Sequence, residues 1–143
     1  INRKEEFRTI INNLKLKQMG LDMYAYRRGK CQSKKEMTQI AEWRKHNRLH
    51  GYMTDLWMAK GFEKGEIRNE MDFNCVNLRL KKKDIKKLSK MIIGKKLPET
   101  GGFFFGVDSY DHYSYYLEED LRFLSEARKA IENGDKIYYS SWW

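Results

Sequence analysis

Two histidines four residues apart stand between two tryptophans in the stretch AEWRKHNRLHGYMTDLW, residues 41–57. Interpreted as part of one helix, the stretch has five of its side chains on a single face, because their spacings of 3, 4, 3 and 4 residues follow the helical repeat: Trp43, His46, His50, Met53 and Trp57. Histidines at i and i+4 can share a metal ion, but a zinc site needs a third ligand, and no glutamate completes an H-E-x-x-H pattern. We therefore predict neither a metal site nor a bound cofactor.

Two interpretations of this face stay open. In the first, the tryptophans and the methionine pack in the core, and the histidines lie at its rim with satisfied hydrogen bonds. In the second, both histidines and Arg44 line a groove that takes an anion or a nucleobase, and tryptophan supplies a flat ring for stacking.

A second group of residues with chemical potential lies in GGFFFGVDSYDHYSYY, residues 101–116. Its glycines permit a close backbone approach to a ligand, and Asp111 stands next to His112, with Tyr110 before them. An aspartate and a histidine together can perform general acid–base chemistry. The alternative is a strand through the core followed by a loop that caps the next helix. The glycine pair does not match a P-loop, since no G-K-[ST] follows it.

The charge of the chain favours acidic partners. The formal net charge is +9, and residues 79–96 contain nine Lys or Arg against one Asp. Such a surplus attracts nucleic acid, nucleotides or an acidic protein, although a lysine-rich surface can also serve solubility alone. Two cysteines are too few for a disulfide framework, and no apolar run reaches the roughly 18 residues of a membrane span. The first residues lack the apolar segment of a secretion signal, so we predict a cytoplasmic protein without a membrane partner.

Periodicity predicts the elements that must position these residues. The sequence patterns indicate helices at about residues 3–18, 36–60, 82–93 and 116–132, and strands at 21–26, 73–80 and 136–143. Ser33 and Glu36 have the spacing of a capping box at the start of the second helix, and Gly51 inside it suggests a kink or a close contact. The sum predicts an α+β fold, with three or four helices packed against a small, mainly antiparallel sheet.

Several segments together resemble a small family of uncharacterised proteins from bacteriophages and bacteria. The matching pieces are MGLDMYAY at 19–26, WRKHNRLHGY at 43–52, NC at 74–75, LPETGGFFFG at 97–106, YDHYSYYLEEDL at 110–121 and the terminal YYSSWW. The resemblance implies no established reaction. It implies that family members begin at the position of Met19, so that residues 1–18 form a helical extension to a single domain of residues 19–143. Such an extension is a candidate dimerisation helix.

The resemblance also selects among the polar residues. His46 does not match, because that position is similar to alanine in the family, and this weakens the idea of a paired-histidine metal site. The matching positions lie on aromatic-rich segments and are expected to converge on one pocket: Asp22, Trp43, Arg44, Lys45, Asn47, His50, Cys75, Gly106, Tyr110 and Asp111.

Three functional hypotheses follow. The leading one is a protein that binds a nucleotide, nucleic acid or another phosphate-bearing anion in an aromatic, basic pocket. Arg27, Arg44 and Lys45 would supply charge, Trp43 and Tyr110 stacking faces, and Asn47, His50 and Asp111 specificity, with Asp22 as a further wall residue. The second hypothesis is a small enzyme that uses His50 and Asp111 as base and orienting acid. The third is a structural or inhibitory interaction module that self-associates through residues 1–18.

Overall fold

The computed structural model describes residues 3–6, 20–100 and 114–143. Residues 3–6 are helical, and the rest of the predicted N-terminal helix lies outside the described residues, as do Tyr110 and Asp111. The strands are β1 Asp22–Arg28, β2 Thr38–Arg44, β3 Leu78–Leu80 and β4 Lys136–Trp142. The longer helices are α1 Asn47–Glu63, α2 Lys82–Ile93 and α3 Ser114–Glu132, and short 3-10 turns occupy Lys34–Glu36 and Glu70–Asp72.

The four strands form one antiparallel sheet in the order β2-β1-β4-β3. Met23 of β1 pairs with Trp43 on one side and Ser141 on the other, so these residues share a face of the sheet. Trp43 contacts Phe123 of α3 at 5.2 Å between ring centroids, and Tyr139 on the same face contacts His50 of α1. Helices therefore cover one face of a small antiparallel sheet, which confirms the predicted α+β class.

The strand β1 confirms the alternation in its sequence. Met23 and Ala25 are fully buried beneath the helices. Tyr24 and Tyr26 point to the opposite face, are partly exposed, and stack with 6.3 Å between ring centroids. The strand continues to Arg28, two residues beyond the predicted end, because β4 pairs with it along its whole length.

The predicted helix at 36–60 is wrong in its first third. Thr38–Arg44 is the edge strand β2, and the helix begins only at Asn47. A β-bulge in β2 explains why its sequence does not show the alternation of a strand. The pairing of β1 with β2 shifts register between Ala25 and Tyr26, which makes Ile40 an extra residue in β2. The buried positions of β2 therefore do not alternate regularly. The Ser33 side chain makes no capping hydrogen bond, and the turn after it ends at Glu36. Trp43 and His50 are therefore held by different elements.

The predicted strand at 73–80 is shorter in the structure. Only Leu78–Leu80 pairs with β4, whereas Cys75 takes a left-handed backbone conformation with φ 58° and donates its N–H to the Ser141 carbonyl at 2.7 Å. Asn74 completes this junction, since its side chain both accepts from the Trp143 N–H and donates to the Trp143 carbonyl. The helix at 82–93 and the terminal strand are confirmed, and the helix predicted at 116–132 begins two residues earlier. Within the three described ranges, no helix combines the length and the apolar character needed to span a bilayer.

Candidate functional site

His50 lies one turn into α1 and is buried, with 2% of its surface exposed. Its Nδ1 atom is 2.7 Å from the Tyr139 hydroxyl in the central strand β4, and its ring stacks on Phe73. Burial lowers the pKa of His50 from 6.5 to about 4. Burial also raises the pKa of Tyr139 well above its usual value of 10. Both rings are therefore uncharged at neutral pH, and their hydrogen bond joins two neutral groups.

A cavity of about 330 Å³ opens beside His50. Its walls come from α1, from the Glu70–Asp72 turn, from the segment that follows α2 and from the end of β4: His50, Gly51, Thr54, Asp55, Glu70, Met71, Pro98, Glu99, Thr100 and Trp143. Gly51 is required here, because a Cβ atom at this position would collide with the Thr100 side chain. The predicted role of Gly51 as a site of close contact is therefore confirmed.

The described walls of this cavity are acidic. They include the carboxylates of Asp55, Glu70 and Glu99, and neither a lysine nor an arginine is among them. Burial, and then the nearby charge of Glu70, raises the pKa of Asp55. No three histidine, cysteine or carboxylate side chains of the described ranges are close enough together to hold a metal ion.

The structure separates the residues that were expected to share one pocket. Of the predicted binding residues in the described ranges, only His50 lines this cavity. Arg44 and Asp22 face each other on the surface, with 3.9 Å between Nε and Oδ1 and 70% of the Arg44 side chain exposed. The carbonyls of Arg44 and Lys45 accept from the Tyr116 hydroxyl, and Asn47 is buried at the start of α1. These described residues therefore do not all line one cavity, while a shared site that includes Tyr110 and Asp111, and the pairing of His50 with Asp111, stay predictions.

Trp43 has a structural position rather than the predicted stacking face. It is 3% exposed, and its indole N–H donates to Oδ1 of Asp120 at 2.8 Å. The other oxygen of Asp120 lies 2.9 Å from His46 Nε2, and the His46 ring stacks on Tyr116 at 4.2 Å. This buried cluster joins β2 and the turn after it to α3, which supports the interpretation that placed the aromatic residues in the core.

Sequence reasoning missed Asp120 and Tyr139. Asp120 is fully buried on the apolar stripe of α3, three residues after Leu117 and four before Leu124, and a carboxylate on such a stripe was the available signal. Tyr139 gave no local signal, because its partner His50 is 89 residues away.

A second candidate surface is the outer side of α2 and its flanks, which we call the basic face. It comprises nine exposed bases: Arg79, Lys81, Lys82, Lys83, Lys86, Lys87, Lys90, Lys95 and Lys96. The one carboxylate of this stretch, Asp84, is 6% exposed; it binds Lys60 Nζ at 2.9 Å and accepts the Lys81 N–H at 2.8 Å. Asp84 is therefore directed away from the surface that the bases occupy.

A cleft of about 510 Å³ lies between α2 and α3 at the margin of the basic face. Ile85 and Ile131 supply apolar walls, and Lys82, Lys86 and Arg128 supply positive charge, opposed by Glu132 alone among the described lining residues. Arg128 is held in place by a 2.7 Å hydrogen bond from its guanidinium to the Ser89 hydroxyl. The cleft thus combines apolar walls with positively charged side chains.

Comparisons of the chain with protein-family models, with curated protein sequences and with solved structures found no match. The functional argument therefore rests on the placement of the described residues.

Proposed function

We propose that the protein binds nucleic acid, or a similar phosphate-bearing polyanion, through the basic face. The observation that carries the proposal is the separation of charge in residues 79–96: nine bases are exposed, and the single carboxylate, Asp84, is buried against Lys60. A surface of this kind gains affinity by releasing the counterions condensed on phosphates, and it needs no sequence-specific contact to do so.

The cleft between α2 and α3 supports the same proposal. Lys82 and Lys86 are one helical turn apart and can contact successive phosphates of a strand. Arg128 on the facing helix can bind a phosphate through its planar guanidinium group. The apolar walls of Ile85 and Ile131 suit the flat surface of an unstacked base. Under this proposal, anion binding belongs to α2 and α3 and not to the predicted residues Arg44 and Lys45.

The cellular location that we propose follows from the same reasoning about nucleic acid binding. Nucleic acid is abundant in the cytoplasm of a bacterium or a phage-infected cell, where we place the protein as part of the proposal. Self-association through residues 1–18 stays a separate prediction, and it would double the number of basic faces that one assembly presents to a long polyanion.

The test replaces Lys82, Lys86 and Lys90 together by glutamine and measures binding to mixed single-stranded and double-stranded oligonucleotides by fluorescence anisotropy. We expect affinity to fall by about tenfold or more, because each lost lysine removes a phosphate contact. Glutamine keeps the helix, since its helix propensity is close to that of lysine.

The matched control replaces Lys30, Lys34 and Lys35 by glutamine, which changes the net charge equally at exposed positions away from α2. We expect this variant to bind almost as the natural chain does. An equal loss in both variants would show that affinity follows the net charge and not the basic face. That result, or an absence of binding by the natural chain at low salt, would reject the proposal.

A further inference from the structure

The face of the sheet opposite α1 and α3 carries a group of aromatic rings. Alternate residues of a strand share a face, so Tyr24 and Tyr26 lie on the side of β1 that is opposite to its buried positions. The register of β4 places Tyr138 directly beside Tyr26 and puts Trp142 on the same face. We call this surface the outer sheet face, and its aromatic residues are Tyr24, Tyr26, Tyr138 and Trp142.

The rings of the outer sheet face are placed to stack on flat ligands. Tyr24 and Tyr26 are partly exposed, and their rings lie 6.3 Å apart between centroids with 30° between their planes. The neighbour of Tyr24 on β4 is the small residue Ser140, and Trp142 beyond it is 64% exposed. Tyrosine and tryptophan offer large, rigid contact areas at a low cost in conformational entropy. Every nucleobase has a π face that can stack on such rings.

Basic side chains accompany the rings on all four strands. The registers place on the outer sheet face Arg28 of β1, Arg44 of β2, Arg79 of β3 and Lys136 of β4. Two carboxylates, Asp22 and Glu42, share the face, and Asp22 lies 3.9 Å from the Arg44 guanidinium. Positive charge therefore predominates around the rings, which favours a ligand that combines flat groups with negative charge.

We propose that the outer sheet face binds an unpaired strand of nucleic acid, whose nucleobases stack on Tyr24, Tyr26 and Trp142. A duplex keeps its nucleobases inside its own stack and cannot offer their flat faces to these rings. The inference shares its partner class with the proposed function but not its residues. The basic face contacts phosphates of either form, whereas the outer sheet face distinguishes a single strand from a duplex.

The composition of the outer sheet face favours a nucleic acid strand over another protein. Every apolar side chain at its described paired positions is aromatic, and no Leu, Ile, Val or Met is among them. The buried centre of a protein–protein interface is depleted in charged residues, whereas charged side chains stand among these rings on each strand. Stacking rings among cations are the pattern of single-strand binding surfaces.

Fluorescence anisotropy with a mixed-sequence oligonucleotide, as a single strand and as its duplex, tests the inference at physiological salt. We expect the natural chain to bind the single strand about tenfold more tightly than the duplex. The double variant Tyr24→Thr and Tyr26→Thr should lose this preference and leave duplex affinity unchanged, because it removes two stacking rings. Threonine has a high strand propensity and keeps β1. The matched control, Tyr24→Phe and Tyr26→Phe, keeps both rings and should keep the preference.

Tryptophan fluorescence provides a second measurement that requires no change at the tyrosines. Trp43 and Trp57 are buried, whereas Trp142 is 64% exposed on the outer sheet face. Oligothymidylate, which forms no duplex with itself, should quench the fluorescence of the natural chain when it binds. The quenching should be much smaller in the Trp142→Phe variant. Equal quenching in both proteins would mean that the strand does not reach this face.

Two further results would overturn the inference. One is equal affinity of the natural chain for single strand and duplex, or a preference that survives in the threonine variant. The other is self-association, measured by light scattering, that the threonine variant loses while its single-strand affinity is unchanged, because a second copy would then occupy the face. The α2 variant with three glutamines should bind both forms more weakly and keep the preference, so failure of the basic face and failure of the outer sheet face are distinguishable.

Discussion

Two residues that were expected to contact a ligand, His50 and Trp43, are buried and bonded to other side chains of the protein. His50 was expected to set ligand specificity or to act as a base, and the structure places it against Tyr139 at 2.7 Å with its pKa lowered by burial to about 4. Trp43 was expected to offer its face to a base, but it instead donates to the buried carboxylate of Asp120. In both cases the decisive partner is more than 70 residues away in the chain, and no local pattern could have identified it.

The lowered pKa of His50 predicts a specific loss of stability in acid. The unfolded chain binds a proton at this residue below about pH 6.5, whereas the folded protein does so only near pH 4, so stability is lost as the pH falls through this interval. The full difference corresponds to about 3 kcal/mol.

Urea unfolding at pH 7, 5.5 and 4 measures this loss, with His50→Gln as the reference, because glutamine can still bond to the Tyr139 hydroxyl and does not titrate. We expect the natural chain to lose about 3 kcal/mol more than the variant between pH 7 and pH 4. Parallel pH profiles for the two proteins would contradict a buried, neutral His50.

Helices and strands were predictable where their buried residues follow a single helical or strand period. They were not predictable where pairing between distant segments of the chain determines the structure. The buried stripe of α2 and the alternation of β1 are visible in the sequence, and the structure confirms them. The apolar stripe of α3 is confirmed only in part, because Leu124 is buried whereas Leu121 is 44% exposed. The strand β2 was mistaken for helix because its bulge at Ile40 breaks the alternation and because charged residues follow it. Trp43 and His50 were placed on one helix for the same reason, whereas the structure places them on a strand and on a helix.

The connection between β2 and α3 depends on the carboxylate of Asp120. Replacing Asp120 by alanine removes the acceptor of the Trp43 indole N–H and the partner of His46, and it leaves both groups buried. We expect a loss of about 3 kcal/mol in the free energy of unfolding, measured by urea titration at pH 7.

Glu118→Ala on the exposed side of the same helix is the control, and we expect a change of no more than about 0.5 kcal/mol. If the Asp120→Ala variant were as stable as this control, the buried cluster would not be the connection between strand and helix.

At the scale of the whole molecule, opposite charges occupy different places. The acidic cavity adjoins the first half of α1 and the end of β4, whereas the basic face follows α2 and its flanks. The net charge of +9 pointed to polyanion binding, but composition alone could not show that Asp84 is buried and leaves the outer side of α2 to its lysines. The division places carboxylates around the cavity and lysines on the basic face.

The salt dependence of oligonucleotide binding tests the central claim most directly. If the basic face binds phosphates, the logarithm of the affinity falls linearly with the logarithm of the salt concentration, with a slope of at least about 3 in magnitude. Replacing Lys82, Lys86 and Lys90 by glutamine should then reduce that slope by about 2 to 3, and replacing Lys30, Lys34 and Lys35 should leave it unchanged. A salt-independent affinity, or a slope that falls equally in both variants, would contradict the account.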